Sequence, residues 1–260
     1  MLVLIDRLKI VRVFANEVRR HGMPDVAGAS DREVVFVLDG VGGFQFVPAV
    51  LRHVWRGVPD APGTILFKWQ FRPPGRMLLD LMCRRRNERK AAELAERMIS
   101  FRARHPNAII HVIAYSGGTG VAVWACERLR GKVGLTTLVL ACSALSRTYN
   151  LAGALAAVER CYALVSEKDR VLLGLGTGLF GTIDRLRAPA AGRVGFEVPV
   201  NATVAERNMY RKLGIIRWTP ELRSLDHRGG HTGWASARFM REHLLPMLRG
   251  RPLLPTATVQ

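Results

Sequence analysis

An apolar run, Ile110-His111-Val112-Ile113-Ala114-Tyr115, breaks at Ser116 and continues through Gly117-Gly118-Thr119-Gly120 into a helical pattern. Small residues on either side of a serine are what a sharp strand-to-helix turn demands, because such a turn crowds neighbouring backbone. A hydroxyl held there stands clear of the sheet as a nucleophile. The Gly117 N–H and the start of the new helix can then stabilise an oxyanion. The plainer alternative is that Ser116 only caps the helix, as serines often do.

A nucleophilic serine needs a base and an acid. The short apolar strand Cys161 to Val165 runs into Ser166-Glu167-Lys168-Asp169-Arg170, which sets Asp169 on a loop past a strand end. Farther on, Gly229-Gly230-His231-Thr232-Gly233 places His231 in a glycine-rich loop before a helical segment. The order Ser116, Asp169, His231 suits serine, acid and histidine in nucleophilic acyl chemistry. Glu167 and Asp226 are rival acids, Asp226 through its closeness to the histidine loop. His227 is the rival base, without the flanking glycines that would let it reach the serine. Asp169 also reads as a surface turn residue paired with Lys168 or Arg170, a pairing worth little. The His227-x-x-x-His231 spacing suggests a metal, but it has no acid between the two histidines and its glycines oppose a helix. The reading therefore calls for no metal and no organic cofactor. Upstream, the strand Val34 to Leu38 ends in Asp39-Gly40-Val41-Gly42-Gly43-Phe44. Backbone amides of that turn, at Val41 or Gly42, supply a second oxyanion donor beside Gly117.

On these residues the sequence resembles the α/β-hydrolase family: the Ala-Tyr-Ser-Gly-Gly turn, the Asp-Gly-Val-Gly-Gly turn, Asp169 and His231, over Glu33 to Leu248. The resemblance implies attack by Ser116, proton transfer through His231, and orientation of that histidine by Asp169. It departs from the family where Asp39 stands in place of the usual histidine and Ala114 in place of the first glycine of the serine turn. It implies a serine hydrolase acting on an ester, thioester or related acyl bond. Acyl transfer through the same residues is the variant. A non-catalytic relative that binds an anionic membrane or an acidic partner is the reading from a different class.

Elements that could position these residues follow from hydrophobic period. Strands are expected at Glu33 to Leu38, Thr64 to Phe71, Ala108 to Tyr115, Thr136 to Cys142, Cys161 to Val165 and Gly214 to Trp218. Helices are expected at Phe44 to Arg56, Arg76 to Arg102, Gly118 to Arg130, Leu151 to Glu159, Val204 to Leu213 and Thr232 to Leu248. This alternation predicts an α/β fold with a mostly parallel central sheet and helices on both faces. Little room for a large cap lies between Cys142 and Cys161. The organisation expected is a helical extension over residues 1–32, a hydrolase-type domain over 33–249 and a loose tail over 250–260. Within Val171 to Leu213, Gly176, Gly178 and Gly181 fit G-x-G-x-x-G but do not follow a buried strand, which argues against a dinucleotide site. A mobile apolar flap over the acyl site and a plain surface excursion are both open for that segment.

With 260 residues the chain can bury one substantial core. Its four cysteines stand singly in apolar or helical stretches. They read as reduced core residues of a cytosol-like compartment. The start Met1 to Arg7 lacks the layout of a signal peptide, because charges interrupt its apolar stretch. The expected location is cytoplasmic, with peripheral membrane contact open. The formal charge of +18, mostly arginine, points to an anionic partner. Nucleic acid is disfavoured, since no recognised module and no aromatics interleaved with the basic residues occur. Arg72, Arg76, Arg147 and Arg170 fall on loops that leave strand ends, so an anionic group on a small acyl substrate is a further expectation. The competing reading is that these arginines share a generally basic surface.

Overall fold

The computed structural model describes residues 26–27, 32–56, 58–129, 131–169 and 181–258. Arg170, the glycine-rich segment after it and the helical spacing expected over residues 1–25 lie outside the described residues.

The strands are β1 (Val26–Ala27), β2 (Glu33–Leu38), β3 (Gly63–Leu66), β4 (Ile109–Tyr115), β5 (Leu135–Ala141), β6 (Val158–Val165), β7 (Leu213–Arg217) and β8 (Ala257–Thr258). They form one eight-stranded sheet in the order β1-β3-β2-β4-β5-β6-β7-β8. The six inner strands run parallel, while β1 and β8 close the two edges antiparallel. In β4 every residue from Ile110 to Tyr115 is buried. A strand buried without alternation must be covered on both faces, which is why parallel sheets read as continuous apolar runs. The fold is thus the mostly parallel α/β type that the resemblance implies.

Between the strands lie α1 (Phe46–Trp55), α2 (Met77–Met82), α3 (Arg84–Arg104), α4 (Gly118–Leu129), α5 (Ala152–Leu155), α6 (Ala191–Val194) and α7 (Val204–Tyr210). α4 is buried along almost its whole length, so it carries the serine turn on a helix embedded in the core. The single helix expected over Arg76 to Arg102 is instead two, parted at Cys83, whose ψ of 66° leaves the helical region. The helix expected over Leu151 to Glu159 stops at Leu155, because Val158 already pairs with Leu135 in the sheet. C-terminally, the expected helix over Thr232 to Leu248 begins only at Ala237, after a 3₁₀ turn at Gly233–Ala235, and then runs on to Leu248 with a π stretch at Met240–Leu244. Pro246 lacks the N–H that would continue the α-helical ladder there.

Two expectations about the ends read differently in space. Val26–Ala27 pair as a strand rather than a helix, and Ala257–Thr258, in the segment expected to be loose, pair with β7. The described part of the expected flap is also anchored. Ile183 is fully buried, and the Asp184 carboxylate accepts from both N and Oγ of Ser146, at 2.9 and 2.6 Å.

Candidate active site

Parallel strands bring their carboxyl ends to one side of a sheet, where the loops that follow them meet. The turns after β2, β4 and β6 and the long connection after β7 therefore share one edge. Ser116 follows β4 directly, and its N–H donates to the Ala141 carbonyl of neighbouring β5 at 2.9 Å. Its φ of 51° lies in the left-handed region, a strained setting for a residue with a side chain. What holds it is the turn's packing. A Cβ on Gly118 would sit 2.6 Å from the Asp39 carbonyl oxygen, so only glycine lets α4 begin this close to the neighbouring turn.

Asp169, just after β6, and His231, on the connection after β7, reach the same place from the strands on one side of β4. The Ser116 Oγ and the His231 Nε2 lie 2.9 Å apart, and the His231 Nδ1 is hydrogen-bonded to the Asp169 carboxylate. A carboxylate only accepts, so Nδ1 carries the proton and Nε2 accepts from the serine hydroxyl. Asp169 is almost wholly buried, and the imidazole lies 4.9 Å from the Tyr115 ring. Three backbone carbonyls fix the histidine loop. That of Gly229 accepts from the Ser166 hydroxyl, that of His227 from the Trp218 indole at 2.7 Å, and that of His231 from the Cys142 thiol at 3.3 Å. Gly229 turns at φ 83°, and a Cβ there would strike the Trp218 ring at 2.8 Å.

The rivals stand elsewhere. Asp226 is exposed at the end of a 3₁₀ turn, and Glu167 is exposed 4.0 Å from Arg217. His227 is buried edge-on against Phe239, and its Nδ1 accepts from the Gly229 N–H at 3.2 Å. Burial pushes its pKa down to about 4 from 6.5. Among the described residues, the group with metal-type donor atoms close together is Cys142, Asp169 and His231, not the two histidines, and two of its members are already hydrogen-bonded to each other.

A depressed base has a definite linkage. The unfolded chain binds the His227 proton below 6.5 while the fold resists it to about 4, so stability is present above 6.5 and lost as pH falls through that window. The loss is on the order of 3 kcal/mol. Asp39 acts oppositely: burial raises its carboxyl from 3.8 to about 6, so its contribution is present below 3.8 and lost as pH rises through about 6. Denaturant unfolding followed from neutral to acid pH should therefore show wild type falling relative to His227→Gln. Parallel curves for the two proteins would rule this out.

The turn after β2 is held by groups that its own sequence does not advertise. The carboxylate of Asp39 accepts from the first amides of α1, Phe46 N–H at 2.8 Å and Val47 N–H at 3.2 Å. Asp39 thereby ties this turn to the start of α1. The Trp69 indole donates to the Asp39 carbonyl at 2.8 Å, and the Gln70 amide donates to the Gly40 carbonyl at 2.7 Å. The expected strand Thr64 to Phe71 ends at Leu66 because the chain leaves the sheet to deliver these two side chains. Asp80, fully buried on α2, accepts from Gly42 N–H at 2.7 Å and from Phe71 N–H at 2.7 Å. The expectation of Gly42 as an oxyanion donor does not hold, since its amide proton is spent on Asp80. Val41 and Gly117 remain: among the described residues neither N–H is engaged in another hydrogen bond. A Cβ built on Gly117 would lie 2.7 Å from the Val41 side chain, so the two residues are neighbours.

Asp80→Asn keeps the size but gives up one acceptor, so the Gly42 or the Phe71 amide loses its partner. The expected result is a fall of about tenfold in kcat on an activated ester with KM little changed, because oxyanion donors act mainly in the transition state. A KM effect alone would show that the turn binds substrate instead.

The four arginines expected around an anionic group are not gathered. Arg147 is held by Glu197, Arg76 stands exposed at the start of α2, and Arg72 lines a cleft with Lys68, Arg86, Lys90 and Arg97. Arg170 lies outside the described residues.

No protein-family model and no curated relative matches this sequence. Among solved structures, the chain is similar to a carboxylesterase from Mesorhizobium loti (15% identity, 82% of this chain, 88% of that chain, TM-score 0.44). It is also similar to esterase PE8 (17% identity, 85% and 96%, TM-score 0.44). A third likeness is to a hydrolase from Oleispira antarctica (11% identity, 91% and 97%, TM-score 0.41).

Proposed function

We propose that the chain is a serine hydrolase that cleaves an ester, thioester or related acyl bond through an acyl-enzyme on Ser116. The observation that carries this reading is the hydrogen-bonded chain from Ser116 Oγ to His231 Nε2 and from His231 Nδ1 to Asp169. In this reading Oγ attacks the acyl carbonyl carbon while its proton passes to Nε2. The carbonyl oxygen, now negative, takes hydrogen bonds from the Val41 and Gly117 amides. The tetrahedral intermediate collapses with release of the alcohol or thiol, which takes the proton from Nε2. Water then repeats the sequence on the acyl-enzyme, and the acid departs with Ser116 restored. Asp169 keeps the imidazole in the accepting tautomer and supports its charged form.

The test is labelling with a fluorophosphonate probe followed by mapping of the modified residue. Modification at Ser116, lost when His231 is replaced by Ala, is the expected result. A folded protein that resists the probe, or that reacts at another serine, would remove the reading.

A further inference from the structure

The short helix α2 is built inside out. Its acid, Asp80, is fully buried, whereas Met77, Leu78, Leu79 and Met82 are 39–50% exposed. Phe44, exposed at 54%, belongs to the same patch. A Cβ on Gly42 would meet the Phe44 ring at 2.5 Å and the Met77 side chain at 3.0 Å, so both flank the turn that faces Ser116. Apolar side chains do not stay in water at such density without a partner.

Charge surrounds the patch. The cleft beside it, of about 340 Å³, is lined by Lys68, Arg72, Arg86, Lys90 and Arg97, with no carboxylate among its lining residues, although Lys90 is paired with Glu93 at 2.6 Å. It adjoins α2 directly: Phe71 lines it and donates to Asp80, and the Arg86 guanidinium stacks 3.8 Å over the Phe71 ring. Arg76, Arg85 and Arg89, before and after α2, are exposed. None of those three side chains has a hydrogen bond or ion pair among the described residues.

We propose that this face docks the protein on an anionic lipid surface, with lipid phosphates in the cleft and Phe44, Leu78 and Met82 entering the acyl boundary. An apolar centre with a basic rim is the complement of an anionic bilayer, which offers phosphate above hydrocarbon. A nucleic acid would engage the cations and leave the methionines and leucines in water. A second copy would bring another +18 against the same rim. Docked this way, the acyl site opens where lipid-borne esters lie, and only that last step rests on the proposed function.

The test is flotation of the whole chain with phosphatidylcholine vesicles, with and without phosphatidylglycerol, at low and moderate salt. Binding is expected only with phosphatidylglycerol, and weaker as salt rises. Leu78→Ser with Met82→Ser, and separately Lys90→Gln with Arg97→Gln, should each weaken it by about tenfold or more, by analogy with amphipathic surface binders. Thermal melting and hydrolysis of a small soluble ester should be unchanged in both pairs. Equal binding to neutral vesicles, or full binding by either pair, would overturn the proposal. So would self-association lost in the Leu78/Met82 pair, which assigns the patch to a second copy. Duplex DNA binding that strips the protein from vesicles and survives in that pair would overturn it as well, assigning the face to nucleic acid. Flotation needs no turnover, so its failure leaves the Ser116 chemistry standing, and failure of probe labelling leaves the docking standing.

Discussion

Ser116→Ala is expected to abolish fluorophosphonate labelling and to lower kcat for short activated esters by about a thousandfold or more, the scale seen when one member of such a set is removed. The fold should survive. The hydroxyl is lost without added bulk, the left-handed φ of 51° is no harder for alanine than for serine, and Thr119 keeps its hydrogen bond to the residue-116 carbonyl. Melting temperature and circular dichroism read the fold, and ester turnover reads the chemistry. Undiminished turnover by a folded variant would eliminate a Ser116 acyl-enzyme. The residual rate, with binding and oxyanion amides intact, measures what those groups supply alone.

Asp169→Asn should cost at least as much, on the order of ten-thousandfold in kcat. The reason lies in the tautomer. An asparagine amide placed where the Asp169 carboxylate meets Nδ1 can donate, which moves the imidazole proton to Nε2 and turns that nitrogen toward Ser116 as a donor. Asp226→Asn should change the rate by no more than about twofold, since the side chain is exposed and asparagine tolerates its φ of 60°. kcat/KM for both variants on one activated ester decides the matter. A severe Asp226→Asn beside a mild Asp169→Asn would move the acid into the histidine loop.

The three side chains that meet at Ser116 were legible because each sits next to a local signal: an apolar run ending in glycines, a strand ending in acids, a histidine between glycines. Parallel topology does the rest, since the carboxyl ends of strands must share an edge. What was not legible is support over long sequence separation. Asp80 stands alone in Met77-Leu78-Leu79-Asp80-Leu81-Met82, which reads as an ordinary helical stretch with one polar position. Its two amide partners lie 38 and 9 residues away, and no periodicity points to them. The only hint was an acid among apolar residues, which reads as a solvent face although here it is the inside. Trp69 and Gln70 likewise looked like the end of a strand. A glycine-rich turn does not say which of its amides is engaged, so nothing local separates Gly42, bound to Asp80, from Val41. The edge strands carry no sequence signal because two paired residues leave no pattern.

Those two edge strands bear on how the protein behaves in a crowd. A parallel sheet of six strands ends in β3 on one side and β7 on the other, each with a row of backbone groups that another chain could extend. Here Val26–Ala27 and Ala257–Thr258 occupy part of each row with antiparallel pairs only two residues long. Strands so short offer the next molecule almost no template, and Pro252 and Pro255 lie just before the second of them without N–H groups to pair. The Ala257–Thr258 strand thus acts as a stopper against edge-to-edge aggregation, and its removal would present β7 bare to its neighbours.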